Sequence, residues 1–287
     1  MSRCYCLVVV AVAGLCAGSS QAGVIVLDFS APVPGTIADV TGLGSGFTHR
    51  ISGSGGAIPT NDPNMTLNTA NGHLLLGSVR SDFNSNGFGR NLAAMDSPGL
   101  LLLGLGSQDF LIEAIFRNLQ VNQLGDQMGL YAGSSVDLVV RGGVHEHNNG
   151  SIYQSFVGYS QNAIDGPPSF GGLNVLNAGD DSRFQLGRIN GQWFFRWENL
   201  TQSGVSLTSP YFSLPLLDAQ TSLYVGAFNN DSQNFQSQTA IIDSFIVRTG
   251  ADVTATVPEP ATLTLWSLVS LAGFGVDWYR KRRQNVA

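Results

Sequence analysis

Two short runs in this chain alternate strictly between the faces of an extended strand, and they exclude most ways of folding it. In Phe110-Leu111-Ile112-Glu113-Ala114-Ile115-Phe116, the residues Phe110, Ile112, Ala114 and Phe116 share one side. In Trp193-Phe194-Phe195-Arg196-Trp197-Glu198, the residues Trp193, Phe195 and Trp197 oppose Phe194, Arg196 and Glu198. Successive side chains of a strand point to opposite faces, so a period of two sends one face into a core. Just before the second run stands Asn190-Gly191. Both residues accept the positive φ of a type I′ turn, which predicts a two-residue hairpin. No segment before the C-terminal region sustains a helical 3.6-residue period.

The remaining strands predicted on the same grounds are Val24–Phe29, His73–Val79, Gln127–Tyr131, Val136–Arg141, Ile152–Tyr159, Arg183–Ile189, Ser222–Phe228 and Ala240–Arg248, divided by Gly/Asn/Asp/Ser turns. Many short strands without helices imply an all-β, two-sheet sandwich. Residues 31–72, rich in Gly, Pro, Thr and Asn, read as loops over it. Trp193, Phe195 and Trp197 could form a sugar-stacking platform, but Arg196 and Glu198 opposite them favour solvent, so the aromatic side is assigned to the core.

The two ends carry a different kind of information. Arg3 precedes an apolar stretch, Leu7–Ala17, and Ser20-Gln21-Ala22 places small residues where a signal peptidase reads them. Cleavage is expected after Ala22. The stretch is shorter than the roughly 20 residues that span a bilayer. Leu15 stands where a lipobox before Cys16 needs a small residue. All three cysteines, Cys4, Cys6 and Cys16, fall in the removed segment, so the mature chain has no thiol chemistry. At the other end Pro258-Glu259-Pro260 leads into an apolar run from Ala261 to Val276, then Trp278 and Tyr279, then Arg280-Lys281-Arg282-Arg283. This order resembles the PEP-CTERM sorting signal. The resemblance implies processing near Pro258, Glu259 and Pro260 by an exosortase. It also implies a transmembrane helix over about 261–279, with the four basic residues as its cytoplasmic stop. The organisation expected is a signal peptide over 1–22, an ectodomain over 23–249, a linker over 250–257 and the sorting signal over 258–287. Such a protein is exported, anchored in the inner membrane until processed, and then released to the surface or matrix of a Gram-negative-type bacterium.

From the expected cleavage site to the start of the apolar run, nine arginines and no lysine face nineteen acidic residues, a charge of about −10. Charge of that sign repels phosphate backbones and argues against nucleic acid as a partner.

Few residues are suited to catalysis. The order of strands over residues 110–248, closing on Leu223–Phe228 and Ile242–Val247, resembles the concanavalin-A-like lectin and glucanase jelly roll. The resemblance implies a final strand lying beside the first. Glucanases of that fold carry Glu-x-Asp-x-Glu on one strand, where two carboxylates attack the sugar and protonate the leaving oxygen. No such motif occurs here. The mature segment holds four glutamates, Glu113, Glu146, Glu198 and Glu259; Glu113 and Glu198 could approach each other in space, but they read more simply as two surface carboxylates. His145-Glu146-His147 puts two imidazoles on one side of a strand, but with no third ligand nearby it reads as a hairpin tip. Asp180-Asp181-Ser182 and Asn229-Asn230-Asp231-Ser232 offer oxygens that structural calcium would accept, without the spacing of a calcium loop. The glycine clusters at 42–46 and 53–56 lack the helix and lysine of a phosphate loop. These observations lead to the expectation of a non-enzymatic, lectin-like surface or matrix protein, with no catalytic or metal residues, binding exopolysaccharide if anything. The alternatives are a divergent glycoside hydrolase or polysaccharide lyase of the same fold, and a purely structural biofilm component.

Overall fold

The computed structural model describes residues 23–51, 62–80, 97–103, 105, 108–121, 126–135, 138–146, 153–161, 164–231 and 238–254. The signal peptide with Ala22, the tripeptide Pro258-Glu259-Pro260, the apolar run and Arg280–Arg283 lie outside them. Sixteen strands are formed among the described residues: β1 (Gly23–Leu27), β2 (His49–Ile51), β3 (Met65–Asn68), β4 (His73–Gly77), β5 (Val79–Arg80), β6 (Ser97–Leu103), β7 (Phe110–Arg117), β8 (Gln127–Ser135), β9 (Leu138–Glu146), β10 (Tyr153–Gln161), β11 (Ile164–Leu176), β12 (Ser182–Ile189), β13 (Gln192–Asn199), β14 (Ser206–Thr208), β15 (Ser222–Asp231) and β16 (Thr239–Thr249). Two four-residue helices, α1 (Pro215–Asp218) and α2 (Ala251–Thr254), complete the list. No helix among the described residues is long and apolar enough to cross a membrane.

The strands make two sheets, antiparallel except where β5 joins β15. The first runs β14-β13-β12-β7-β16-β4-β3, with β1 also on β16. The second runs β11-β10-β9-β8-β15-β6-β2. One continuous core lies between them. It takes the alternate residues that the period-two pattern singled out: Phe110, Ile112, Ala114 and Phe116 from β7, and Trp193, Phe195 and Trp197 from β13, all buried. Met128, Leu130 and Ala132 of β8 and Leu223, Val225 and Ala227 of β15 supply the facing layer. The hairpin between β12 and β13 turns at Asn190 and Gly191, with φ of 53° and 71°, and leaves Ile189 opposite Gln192. First and last strands pair, Gly23 opposite Thr249 and Leu27 opposite Phe245.

The described residues of the segment expected to be loops, 31–51 and 62–72, are largely so, though β2 and β3 interrupt them. Its organiser is Asp39. The carboxylate accepts hydrogen bonds from Thr41 N, Thr41 Oγ1, Leu43 N and Leu67 N at 2.7–2.9 Å and has no exposed surface. Burial opposes its charge, but the four donors outweigh that and hold its carboxyl below the ordinary 3.8. Phe29, Ile37 and Phe47 thereby close one edge of the core.

The other edge is closed by Arg188. It lies within the core with no exposed surface, its guanidinium 5.6 Å from the ring centres of both Phe110 and Trp193. It donates to Asp218 Oδ1 on α1 (3.1 Å) and to Gln108 O (2.6 Å), while Trp193 Nε1 donates to the same Asp218 oxygen at 2.8 Å. Helix α2 takes the first turn of the segment read as a linker. Its Val253 is buried with Leu111, Ile189 and Phe194, so Phe194, expected on the solvent side, is covered by the C-terminal turn.

Candidate functional site

Outside the core, the first sheet presents a polar face made by the residues that alternate with the buried ones. Strand β7 contributes Glu113 and Arg117, β12 contributes Arg183 and Gln185, β13 contributes Arg196 and Glu198, and β16 contributes Asp243 and Arg248. Cross-strand register sets their neighbours. Glu113 stands opposite Gln185, Gln185 opposite Arg196, and Arg183 opposite Glu198.

Glu113 and Glu198, 85 positions apart in the chain, meet here across β12. Arg183 stands between them. Its Nη1 donates to Glu198 Oε2 at 2.8 Å, and its Nε lies 4.0 Å from Glu113 Oε1. Gln185 Nε2 donates to Glu113 Oε2 at 2.6 Å, and Arg248 Nη1 lies 4.0 Å from the same oxygen. Through the Arg183 guanidinium these contacts link the two carboxylates, which come from different strands. The two side chains differ in setting. Glu113 is 13% exposed and Glu198 is 35% exposed.

Beside this pair lies an ion cluster. Arg117 donates to Asp181 Oδ2 (2.8 Å) and Asp243 Oδ2 (2.6 Å), and His73 Nε2 is 3.5 Å from Asp243 Oδ1. The bonds to Asp181 and Asp243 raise the Arg117 guanidinium above its ordinary value. For Asp181, burial opposes the charge, but the amide of Asn118 and then Arg117 prevail and lower its carboxyl.

The other residues singled out from the sequence have structural partners or lie elsewhere. Asp180 accepts from Asn177 N and Asn199 Nδ2, and Asp181 from Arg117 and Asn118 N. Those oxygens fasten the turn before β12. Asn229 donates to Leu76 O and Gln238 O, joining the two sheets. His145 packs edge-on against Phe156 at 5.7 Å, while His147 lies outside the described residues. Sequence reasoning did not find Arg183, Gln185 and Arg248 as companions of Glu113. The usable signal was the polar half of the same alternation, Arg183-x-Gln185 and Arg196-x-Glu198.

No family model and no curated sequence matches the chain. Solved structures do. One is a GH43 protein from Bacillus licheniformis, 11% identical with a TM-score of 0.54, where the match covers 78% of this chain and 39% of that one. Another is the xylan β-1,4-xylosidase of Bacillus halodurans C-125, 12% identical with a TM-score of 0.54, covering 78% and 38%. The chain thus spans about two fifths of the length of the proteins it matches, and at such identity the likeness establishes the fold. It nevertheless corrects the expectation of a non-enzymatic, lectin-like surface protein. The structures matched are glycoside hydrolases, which favours the carbohydrate-active alternative over it. The physical reason for the miss is plain. Without a motif on one strand, Glu113 and Glu198 read as two separate surface carboxylates; only the register of β7, β12 and β13 puts Arg183 between them.

Proposed function

We propose that the chain is an exported carbohydrate-active protein that hydrolyses glycosidic bonds, with Glu113 and Glu198 as its carboxylate pair. The observation that carries this reading is their approach on either side of Arg183. The likeness of the fold to xylan-acting hydrolases supports it. Hydrolysis needs one carboxyl group to protonate the leaving oxygen and another to attack the sugar or activate water. Glu113, gripped by Gln185 and sheltered, suits the attacking or water-activating role. Glu198 is the more open of the two and is held by Arg183 Nη1. Arg183 sets the gap between them, and Gln185 fixes the direction of Glu113. The sandwich is read as a jelly roll of the concanavalin-A-like kind, supported by the pairing of the first and last strands. Export with removal of the signal peptide, anchoring in the inner membrane by the C-terminal helix and processing by an exosortase belong to the same proposal. They rest on the residues of the two ends.

The test is release of reducing ends from xylan, arabinan and mixed-linkage glucan by the full-length chain. Glu113→Gln and Glu198→Gln should each lower the rate at least a hundredfold while leaving the circular dichroism spectrum unchanged. Absence of release from all three glycans, or full activity in either variant, would refute the assignment.

A further inference from the structure

The cross-strand rows around Glu113 and Glu198 carry one positive charge more than they balance. The central row runs Glu113, Gln185, Arg196, Thr208 across β7, β12, β13 and β14. Arg248 stands on the row to one side of it, and Arg183 with Glu198 on the row to the other. These three rows hold three arginines and two glutamates. Of the nine arginines between the expected cleavage site and the apolar run, these three and Arg117 lie on this one face.

Three of the four are engaged with carboxylates. Arg117 is held by Asp181 and Asp243, Arg183 by Glu198, and Arg248 is turned toward Glu113 at 4.0 Å. Arg196 is different. Its guanidinium makes no ion pair and no hydrogen bond with any described residue. Gln185, opposite it, gives its NH2 to Glu113, and Glu198, two residues along β13, is taken by Arg183. Arg196 is also within reach of solvent. Half-buried itself, it lies between Gln185, 8% exposed, and Thr208, which is exposed. The row therefore opens from Glu113 toward β14. On the side of α2, Phe194 is covered by Val253, so a ligand reaches Arg196 from β14.

A guanidinium is always charged, and its planar fork fits a carboxylate through two parallel hydrogen bonds. Neighbouring strands lie about 4.8 Å apart, so Arg196 stands roughly 10 Å from Glu113 across β12. A sugar chain lying along the row would set one unit at Glu113 and another at Arg196. The chain as a whole carries about −10 and repels a dense polyanion. That repulsion is screened beyond about 8 Å at physiological ionic strength, which leaves the local excess of positive charge to act on a lone carboxylate. We infer that this face takes a sparsely acidic polysaccharide, a neutral sugar backbone bearing single uronic acid units, with Arg196 receiving the uronate carboxylate. The inference rests on the reading of the same face as the sugar site.

Calorimetric titration of the full-length chain in a sugar-free detergent tests this at low ionic strength. One probe is a thio-linked xylotriose, which resists hydrolysis, bearing a single glucuronic acid unit. The other is the methyl ester of the same compound, which is neutral. The acid should bind at least fivefold more tightly than the ester. Arg196→Gln should shrink that difference to less than twofold. Arg196→Lys, which keeps the charge without the fork, should retain part of it and guards against a loss of folding in the first variant. Equal binding of acid and ester by the wild type, binding of neither, or a preference that survives in Arg196→Gln would overturn the inference. Because the probes are not cleaved, the two failures are distinguishable. A chain that prefers the acid yet releases no reducing ends refutes the hydrolase assignment alone, and one that cleaves neutral xylan without preferring the acid refutes this inference alone.

Discussion

Asp39 and Asp181 each remain ionised against burial because donors converge on them, and this gives the fold a defined response to acid. Both carboxyls are lowered from the ordinary 3.8. A depressed acid binds fewer protons folded than unfolded, so its stabilisation is fully present above 3.8 and is lost as pH falls through the folded-state value. The expected result is an acid-unfolding transition that Asp39→Asn makes shallower. That variant should also be less stable at neutral pH by about 1–3 kcal/mol, since an amide would set an NH2 against one of the four donors. Urea melts at neutral and acidic pH measure both; an unchanged acid transition in Asp39→Asn would remove Asp39 from the account. At this scale the sequence was legible where one residue dictates its own geometry. Asn190-Gly191 announced its turn, and Trp193, Phe195 and Trp197 declared the buried side. Asp39 and Arg188 could not be read this way. The partners that justify burying them, Leu67 for one and Asp218 for the other, come from distant parts of the chain.

Strands with clean alternation were legible at nearly their true bounds, β7 above all. The strands not foreseen share physical reasons. β2, β3 and β14 have three or four residues, too few to show a period. β6 reads Ser-Pro-Gly followed by four leucines, a run without alternation. β11 contains Pro167 and Pro168 and two adjacent glycines, which argue against a strand except at an edge, and an edge is where it lies. Contact between the two sheets was illegible, and Gly142 shows why. It sits on β9 facing the first sheet, and a Cβ there would fall 2.2 Å from the Phe195 ring of β13. The close approach of the two sheets at this point depends on a missing side chain. Gly142→Ala should therefore destabilise by about 1–3 kcal/mol through overpacking. Combining it with Phe195→Leu should recover part of that loss, a non-additivity that a double-mutant cycle in urea would detect. Strict additivity would mean that the two residues do not press on each other.

For the molecule as a whole, the sandwich was legible because period-two runs dominate the chain. Glu113 and Glu198 were legible as the glutamates that could approach, but Arg183 and Gln185 beside them were not, since register across β12 sets those contacts. The proposed sorting signal makes a prediction of its own. Glu259→Ala should leave the full-length form in the inner membrane, as read by fractionation and intact mass; a mature form of normal mass at the cell surface would contradict it. The pairing of β1 with β16 has a further, mechanical consequence. Gly23 and Thr249 stand opposite each other, so both ends of the sandwich emerge at the same corner. Tension applied between those ends would load the ladder crosswise, one rung at a time, instead of shearing all its rungs together. Val253 would be drawn out first, and the five residue pairs from Gly23–Thr249 to Leu27–Phe245 would then part in order. Held at one end and dragged from the other, the domain would open like a zip, starting with its first and last strands.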